Sequence, residues 1–215
     1  GGEYAVVDVV DERVPEVQAR MAEGFDAVKL RVHDATLQED IEQIRTTRLG
    51  VGDDVVLGVD ANQGWRVAVI SDAPTWDYDR ALAFCKAAEG LGFEWVEEPL
   101  PMDAYDDQAR LRAATDVNIA GGELNSQGLP ELSVMVDKGC YDWFQPDAVM
   151  TGGIAETWQI AQKVTAAGYK YCPHTWTNGV GFAINLQLFG ASVSRDVARL
   201  EYPLDPPGWV PAARD

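Results

Sequence analysis

The sequence predicts an α/β fold, a TIM-like barrel in which eight parallel strands form the core and seven helices surround them, written (β/α)7β. Two observations predict it. Short runs rich in β-branched and aromatic residues alternate with longer helical stretches along almost the whole chain, and ionisable residues recur where the runs end. The 215 residues, 47% of them apolar, suffice for one large core, although such barrels usually need roughly 250 residues.

The strand-like runs are short and contain mainly the residues that fit a pleated sheet. In chain order they predict strands at Tyr4–Val10, Ala27–Val32, Val55–Val59, Phe93–Val96, Val117–Ala120, Tyr141–Gln145, Tyr169–Cys172 and Val197–Glu201. Because a helical stretch separates each run from the next, the crossovers are expected to be right-handed and the strands parallel.

The stretches between the runs have helical character. Leu37, Ile41 and Ile44 show apolar residues at roughly helical spacing, and glycines such as Gly24 and Gly139 stand where helices commonly end. The predicted helices are Val14–Glu23, Leu37–Leu49, Tyr78–Gly90, Ala104–Ala114, Leu129–Lys138, Ile154–Ala167 and Phe182–Ser192.

A doubly wound open sheet is the rival architecture. No GxGxxG motif follows the first predicted strand, which disfavours a dinucleotide-binding sheet, and eight parallel strands close naturally into a barrel. The segment Trp65–Trp76 is polar and irregular, with a proline and two tryptophans. It is interpreted as a long surface loop.

Composition excludes several classes of partner. The net charge of −18, from 35 acidic and 17 basic residues, would repel nucleic acid and anionic membranes. This acidity is spread along the chain, so adaptation to high salt and ordinary surface solvation both remain open. No apolar run approaches the ~20 residues of a membrane span, and no leader is evident. The widely spaced Cys85, Cys140 and Cys172 indicate reduced thiols and a cytoplasmic protein.

Basic residues occupy one face of the second predicted strand. The two-residue period of a strand places Lys29, Arg31 and His33 together, while Leu30 and Val32 face the surrounding helices. Three basic groups that point into a barrel are costly to bury unless they meet anions. The sequence therefore predicts acidic partners at the same mouth of the barrel.

Carboxylates end the next three strands. Asp60 follows strand three, Glu97 and Glu98 follow strand four, and Glu123 follows strand five. Active sites of parallel barrels lie at the carboxyl ends of the strands, where three oxygen ligands suit Mg²⁺. Zinc is disfavoured because no cysteine or paired histidine is near.

Strands six to eight end in further ionisable residues. Asp147 and His174 follow adjacent strands, so that the carboxylate can fix the tautomer of the imidazole and raise its basicity. Glu201 ends strand eight and faces the same mouth. The sequence predicts an acid/base pair beside a metal site.

These residues, taken together, resemble the barrel of the enolase superfamily, in its mandelate racemase and muconate lactonizing branch. The resemblance covers almost the whole chain. It rests on Lys29-x-Arg31, Asp60-Ala61-Asn62, Glu97-Glu98-Pro99, Gly122-Glu123, Pro146-Asp147, His174 and Glu201.

The resemblance implies a role for each position. Mg²⁺ would be held by Asp60, Glu97 and Glu123, and the general acid/base pair would be Asp147 and His174. Lys29 and Arg31 fall on the Lys-x-Lys position of the family, and Glu201 falls on its strand-eight acid. Asn62 and His33 are expected to contact the substrate.

The reaction implied is Mg²⁺-dependent removal of the proton beside the carboxylate of a small molecule, through an enediolate. Arg31 stands where racemases of this branch have a second lysine, and arginine is a poor base. The leading hypothesis is therefore dehydration of an acid sugar to a 2-keto-3-deoxy acid. Racemisation or epimerisation, with Lys29 as the other base, is the second.

Two further alternatives stay open. One is a barrel that binds metal without catalysing a reaction. The other is a phosphate-handling isomerase, for which Asn178–Gly181 is the candidate phosphate cradle.

The resemblance also bears on domain organisation. Superfamily members carry an N-terminal α+β domain that caps the site, whereas this sequence starts at the first barrel strand and stops soon after the eighth. Residues 1–215 are therefore expected to form the catalytic barrel without this capping domain. Assembly into a homo-oligomer is compatible with the family.

Overall fold

The computed structural model describes residues 3–7, 13–32, 34–66 and 74–204. Its strands are Glu3–Val7 (β1), Ala27–Arg31 (β2), Leu57–Asp60 (β3), Trp95–Glu97 (β4), Asn118–Gly121 (β5), Trp143–Phe144 (β6), Lys170–Tyr171 (β7) and Leu200–Tyr202 (β8). Its α-helices are Arg13–Ala22 (α1), Leu37–Val51 (α2), Tyr78–Gly90 (α3), Tyr105–Ala114 (α4), Leu129–Lys138 (α5), Gly153–Ala166 (α6) and Gly179–Ala191 (α7). A 3-10 helix at Val193–Asp196 precedes β8.

The strands form one parallel sheet in the order β7-β6-β5-β4-β3-β2-β1-β8. Side chains and loops join the two end strands. The Cys172 thiol donates to the Arg199 carbonyl, and the backbone N–H of Thr175 donates to Glu201 Oε2 over 2.9 Å. The predicted (β/α)7β barrel is confirmed.

Side-chain caps begin several of the helices. Thr36 and Glu39 form a capping box at the start of α2, and the Asp77 side chain accepts from the N–H of Arg80 at the start of α3. Asn178 does the same for α7 by accepting from the N–H of Gly181 over 3.0 Å. Such caps satisfy backbone donors that the first turn leaves unpaired.

Two tryptophans fill the lower part of the barrel. Trp95 of β4 and Trp143 of β6 stack with their ring centroids 5.1 Å apart, and both are buried. Gly58 of β3 lies against the Trp95 indole, where an added Cβ would come within 2.1 Å of the ring. Only glycine leaves this space. The two rings pack inside the barrel beneath the polar residues of the mouth.

The predicted elements lie close to the observed ones, with a few informative differences. Helix α7 begins at Gly179 rather than Phe182, because Asn178 caps it. The interpretation of Trp65–Trp76 as a surface loop is wrong for Trp76, which is buried and packs on Phe84 with ring centroids 5.0 Å apart. The end of the first predicted strand, residues 8–10, lies outside the described residues.

No helix in the described part of the chain is long and apolar enough to cross a bilayer.

Candidate active site

The predicted acidic and basic residues meet at the carboxyl ends of the strands. Register places Arg31 of β2 beside Asp60 of β3, and Asp60 beside Glu97 of β4. Because parallel strands in register end at one level, these side chains share one mouth of the barrel. His33 lies outside the described residues.

Lys29 lies at the centre of the cluster. Its fully buried Nζ is 2.6 Å from Glu97 Oε1, 2.8 Å from Glu201 Oε1 and 3.7 Å from Asp60 Oδ2. Burial alone would lower the pKa of Lys29, but these three carboxylates outweigh it and raise the pKa well above its usual range. The ammonium is therefore held in its charged form.

Asp60 is oriented by its own turn and by the neighbouring strand. Its Oδ1 accepts from the N–H of Asn62 over 2.8 Å, and its Oδ2 accepts from Asn62 Nδ2 over 2.9 Å. Arg31 Nη2 is 3.6 Å from Asp60 Oδ2, and its guanidinium lies 5.6 Å from the centre of the Trp176 ring. Asn62 has a positive φ of 47°, a conformation that is uncommon outside glycine and is often found at functional sites.

Glu97 and Glu123 are the other two predicted ligands. Glu97 Oε2 accepts from Gln145 Nε2 over 2.9 Å, and Glu123 Oε2 is 3.4 Å from His174 Nε2. Burial raises the pKa of Glu97 to about 7 in spite of Lys29, and it raises the pKa of Glu123 in spite of His174. For both carboxylates, the cationic partner does not fully offset the cost of burying the negative charge.

The acid/base pair forms as predicted. His174 Nδ1 is 3.1 Å from Asp147 Oδ2, so the imidazole presents Nε2 to Glu123 and, at 3.8 Å, to Glu201. Burial opposes the charged ring, but Glu123, Glu201 and the hydrogen bond to Asp147 outweigh it and raise the pKa of His174 to about 10.

Glu201 is held in its ionised form. Its Oε2 accepts from the N–H of Thr175, and its Oε1 is paired with Lys29. Burial alone would raise the pKa of Glu201, but Lys29, His174 and the Thr175 N–H outweigh it and lower the pKa to about 2. This fixed carboxylate therefore helps to anchor the charge of both cationic side chains.

Three polar residues in or directly behind the mouth make contacts that the sequence did not predict. Glu98 is buried with a positive φ of 45°, and its carboxylate lies against the α-carbon of Gly64. Burial and then Glu123 raise the pKa of Glu98 well above its usual range. Gln145 contacts Glu97, and Asn185 contacts Asp147. The doubled acid in Glu97-Glu98 was the only signal for this set in the sequence.

Negative charge exceeds positive charge in the described part of the mouth. Six carboxylates face the ammonium of Lys29, the guanidinium of Arg31 and the imidazole of His174; they are Asp60, Glu97, Glu98, Glu123, Asp147 and Glu201. In addition, Asn62 Oδ1 and Gln145 Oε1 are buried acceptors without a hydrogen-bond partner. Oxygen donors that lack positive partners suit a hard divalent cation.

In their present arrangement the carboxylates contact other side chains of the mouth and do not converge on one point. Among the described residues, no three His, Cys, Asp or Glu side chains are grouped so that they could hold a metal ion. Glu97 instead contacts Lys29 and Gln145, and Glu123 contacts His174. The donor set fits Mg²⁺ in chemistry and charge, and the carboxylates would have to turn from these partners toward a common point to hold the ion.

A family model described as enolase C-terminal domain-like matches residues 12–211. The chain belongs to this family. The resemblance to the mandelate racemase and muconate lactonizing branch is thereby confirmed. Relatives of the chain are named as dehydratases, cycloisomerases and racemases.

Individual relatives of this enolase-like barrel are named for a sugar-acid lactone and for a sugar acid. The chain is 34% identical to D-galactarolactone cycloisomerase of Agrobacterium fabrum, over 93% of this chain and 49% of the relative. It is 30% identical to arabinonate dehydratase of Saccharolobus solfataricus, over 89% of this chain and 48% of the relative. The chain thus spans about half the length of these relatives.

Solved structures agree. The enolase-like barrel superposes with a TM-score of 0.79 and 27% identity on L-talarate/galactarate dehydratase from Salmonella typhimurium, which was crystallised with Mg and L-lyxarohydroxamate. The match covers 94% of this chain and 48% of that protein.

Two buried ionisable side chains, Glu97 and His174, make the stability of the enolase-like barrel depend on pH. Folding raises the pKa of Glu97 from 4.5 to about 7 and that of His174 from 6.5 to about 10. The stabilisation from each is fully present below its unfolded pKa and is lost as pH rises through its folded pKa. Without Mg²⁺, we therefore expect the melting temperature to fall between about pH 5 and about pH 8.

Thermal unfolding followed by circular dichroism measures this slope. Glu97→Gln should flatten it between pH 4.5 and 7, because glutamine binds no proton there. Glu94→Gln removes an acid that is paired with Arg199 away from the mouth, and the part of the slope that is due to Glu97 should persist in it. Equal slopes in the wild type and in Glu97→Gln would contradict the assignment to Glu97.

Proposed function

We propose that the protein is a Mg²⁺-dependent acid sugar dehydratase, which removes the proton beside a substrate carboxylate and then expels a β-hydroxyl as water. The observation that carries the proposal is the contact of His174 with Asp147 at 3.1 Å, in a chain that has Arg31 at the position where racemases of the family have a second lysine. Arginine stays protonated and cannot serve as a second base, so the residues favour a reaction that uses one base.

Asp60, Glu97 and Glu123 would hold the metal. All three are buried oxygen donors at the ends of neighbouring strands, and removal of the α-proton is difficult without a positive charge close to the carboxylate. When bound, Mg²⁺ would neutralise the charge that develops on the substrate oxygens as the proton leaves.

The Asp147–His174 pair would move the protons. Asp147 Oδ2 holds the Nδ1 side of the ring, which leaves Nε2 to remove the α-proton. The same proton then passes from Nε2 to the β-hydroxyl as the C–O bond breaks. The resulting enol rearranges to the 2-keto-3-deoxy acid, so that one water is lost without any change in oxidation state.

His174 must serve as both base and acid in this scheme. Its pKa of about 10 favours the donating form. Proton removal requires the neutral ring, so Glu123 and Glu201 must lose part of their effect on His174 in the active state, as carboxylates do when they share their charge with a further cation.

The remaining residues would position and stabilise the substrate. Lys29, held charged by three carboxylates, and Arg31 would stabilise the enediolate, and the fixed carboxylate of Glu201 would accept a hydrogen bond from it. Asn62 and His33 would contact the substrate hydroxyls. A small carboxylate is therefore the proposed substrate class.

Isomerisation is the second candidate, because D-galactarolactone cycloisomerase is 34% identical to this chain. It shares the first step, removal of an α-proton, and differs in the fate of the intermediate. Racemisation or epimerisation would require a second base. Lys29 is the only other candidate from the sequence, and its contacts with Glu97 and Glu201 disfavour the neutral form that a base needs.

The test uses the complete gene product with Mg²⁺ and a panel of aldonic and aldaric acids in D₂O. The proposal expects a 2-keto-3-deoxy acid, identified by NMR. A ring-opened or ring-closed isomer of equal mass would establish cycloisomerisation, and deuterium at the α-carbon of an otherwise unchanged acid would establish epimerisation. Binding of Mg²⁺ without exchange on any acid would leave a catalytically inactive metal-binding barrel.

A further inference from the structure

One buried amide on helix α7 contacts both members of the acid/base pair. Asn185 Nδ2 donates to Asp147 Oδ1 over 2.8 Å and to the backbone carbonyl of His174 over 3.0 Å. Its Oδ1 accepts from the N–H of Ala148 over 3.0 Å. Asn185 is fully buried, so these three contacts use both of its donors and one of its acceptor sites without competition from water.

The contacts fix the carboxylate in one orientation. Asp147 Oδ1 accepts from Asn185 Nδ2 and also from the N–H of Val149 over 2.9 Å. With Oδ1 held by two donors, Oδ2 is the oxygen that faces His174 Nδ1. Rotation of the carboxylate would break both contacts at once.

The same amide fixes the backbone on either side of the pair. It holds the carbonyl of His174, just beyond β7, and the N–H of Ala148, just beyond β6. These two loops carry the two halves of the pair, and the backbone contact from the N–H of His174 to the Gln145 carbonyl is long, at 3.4 Å. Asn185 therefore helps to fix the distance between the loops as well as the orientation of Asp147.

We propose that Asn185 is a positioning residue for the Asp147–His174 pair. The proposal rests on the function proposed above, because it assumes that this pair moves protons. Asn185 does not reach the mouth itself and acts through Asp147 and the His174 backbone. Outer partners of this kind orient reacting groups, and their removal commonly costs 10–100-fold in activity.

The alternative is an amide that only packs helix α7 onto the barrel. Both roles predict some loss of stability, so stability cannot distinguish them. The Nδ1–H proton of His174 can, since its low-field NMR signal persists only while Asp147 Oδ2 shields it from exchange with water. The chain has two histidines, so comparison with His174→Asn assigns the signal.

The experiment compares Asn185→Leu, which has a similar shape and no hydrogen bonds, with Asn118→Leu as a matched control. Asn118 also donates an amide to a carbonyl, that of Glu94, but at the start of β5, away from the mouth. Asn185→Leu is expected to lose the Nδ1–H signal and about 10–100-fold in kcat of the complete gene product, with KM nearly unchanged. Asn118→Leu should keep the signal and kcat.

Each other outcome has one meaning. A retained signal and kcat in a folded Asn185→Leu protein would overturn the positioning role. If that variant does not fold, exchange of the Asn185 Nδ2 protons in the wild type decides instead: slow exchange supports the contacts, and exchange as fast as in an exposed asparagine overturns them. The Nδ1–H signal could also depend on Asn185 in a protein that turns over none of the acids tested. That result would support the positioning role of Asn185 and contradict only the proposed function.

Discussion

Replacement of His174 by asparagine is expected to lower kcat of the complete gene product by about 10²–10⁴-fold, the range that a general acid or base commonly contributes. In the proposed reaction the imidazole both removes the α-proton and protonates the departing hydroxyl, so its loss affects two steps. Asparagine can still donate toward Asp147, which limits the structural damage. Turnover and Mg²⁺ affinity, measured on the same preparation, test this expectation.

Mg²⁺ affinity should survive in His174→Asn, since the proposed ligands are the three carboxylates and not the imidazole. Asp147→Asn should show a similar loss of turnover, because an amide cannot hold the ring in the same tautomer.

Asp142→Asn is the matched control. Asp142 lies at the other end of β6, paired with Arg112 at 2.6 Å, so its replacement should affect stability and leave kcat unchanged. Full turnover in His174→Asn would remove His174 from the reaction, and an equal loss in Asp142→Asn would indicate damage to the fold.

Much of the mouth could be predicted because strand geometry is regular. A two-residue period and parallel strands suffice to place the side chains of Arg31, Asp60 and Glu97 at one level, and the observed register pairs Arg31 with Asp60 and Asp60 with Glu97. The same regularity explains why eight strands could be located from short apolar runs. Charged residues at successive strand ends then mark the mouth without knowledge of the loops.

The partners of these residues were less accessible from the sequence. Gln145 and Asn185 are neutral amides, common in ordinary strands and helices, and their roles come from contacts to residues 48 and 38 positions away. No local pattern encodes such distances. The sequence also predicted that the last helix begins at Phe182, whereas the Asn178 cap begins α7 at Gly179, although glycine disfavours helices.

Trp76 shows the opposite error. A polar, proline-containing segment indicated exposure along its whole length, but the indole packs under the guanidinium of Arg80, 4.8 Å from the ring centre, and against Phe84. Residues 67–73 of the segment lie outside the described residues, so the correction concerns Trp76 itself. Composition averages over such a segment and does not detect a single buried anchor.

The largest effect on binding is expected from Asp60→Asn, which should weaken Mg²⁺ by more than about tenfold, the lower bound seen even when outer partners of metal ligands are removed. The change keeps the size of the side chain and removes one full negative charge from the proposed ligand set. It also leaves Arg31 and Lys29 with one anion fewer nearby. Calorimetric titration with MgCl₂ measures the affinity and needs no substrate.

Asp40→Asn provides a matched control for this titration. Asp40 is as deeply buried as Asp60, yet it pairs with Arg80 over 2.8 Å, between helices α2 and α3 and away from the mouth. Loss of its charge should lower stability and leave Mg²⁺ affinity unchanged. The comparison therefore separates the removal of a buried carboxylate from the removal of a metal ligand.

The pattern of affinities decides which carboxylates hold the ion. Wild-type affinity in Asp60→Asn would exclude Asp60 from the site and leave it as a partner of Lys29 and Arg31 alone. Equal loss in Asp60→Asn and Asp40→Asn would indicate general destabilisation. Loss in Asp60→Asn alone would mean that the ion displaces cationic side chains as partners of these acids. The excess of six carboxylates over three cations among the described residues of the mouth would then be the charge that the metal neutralises.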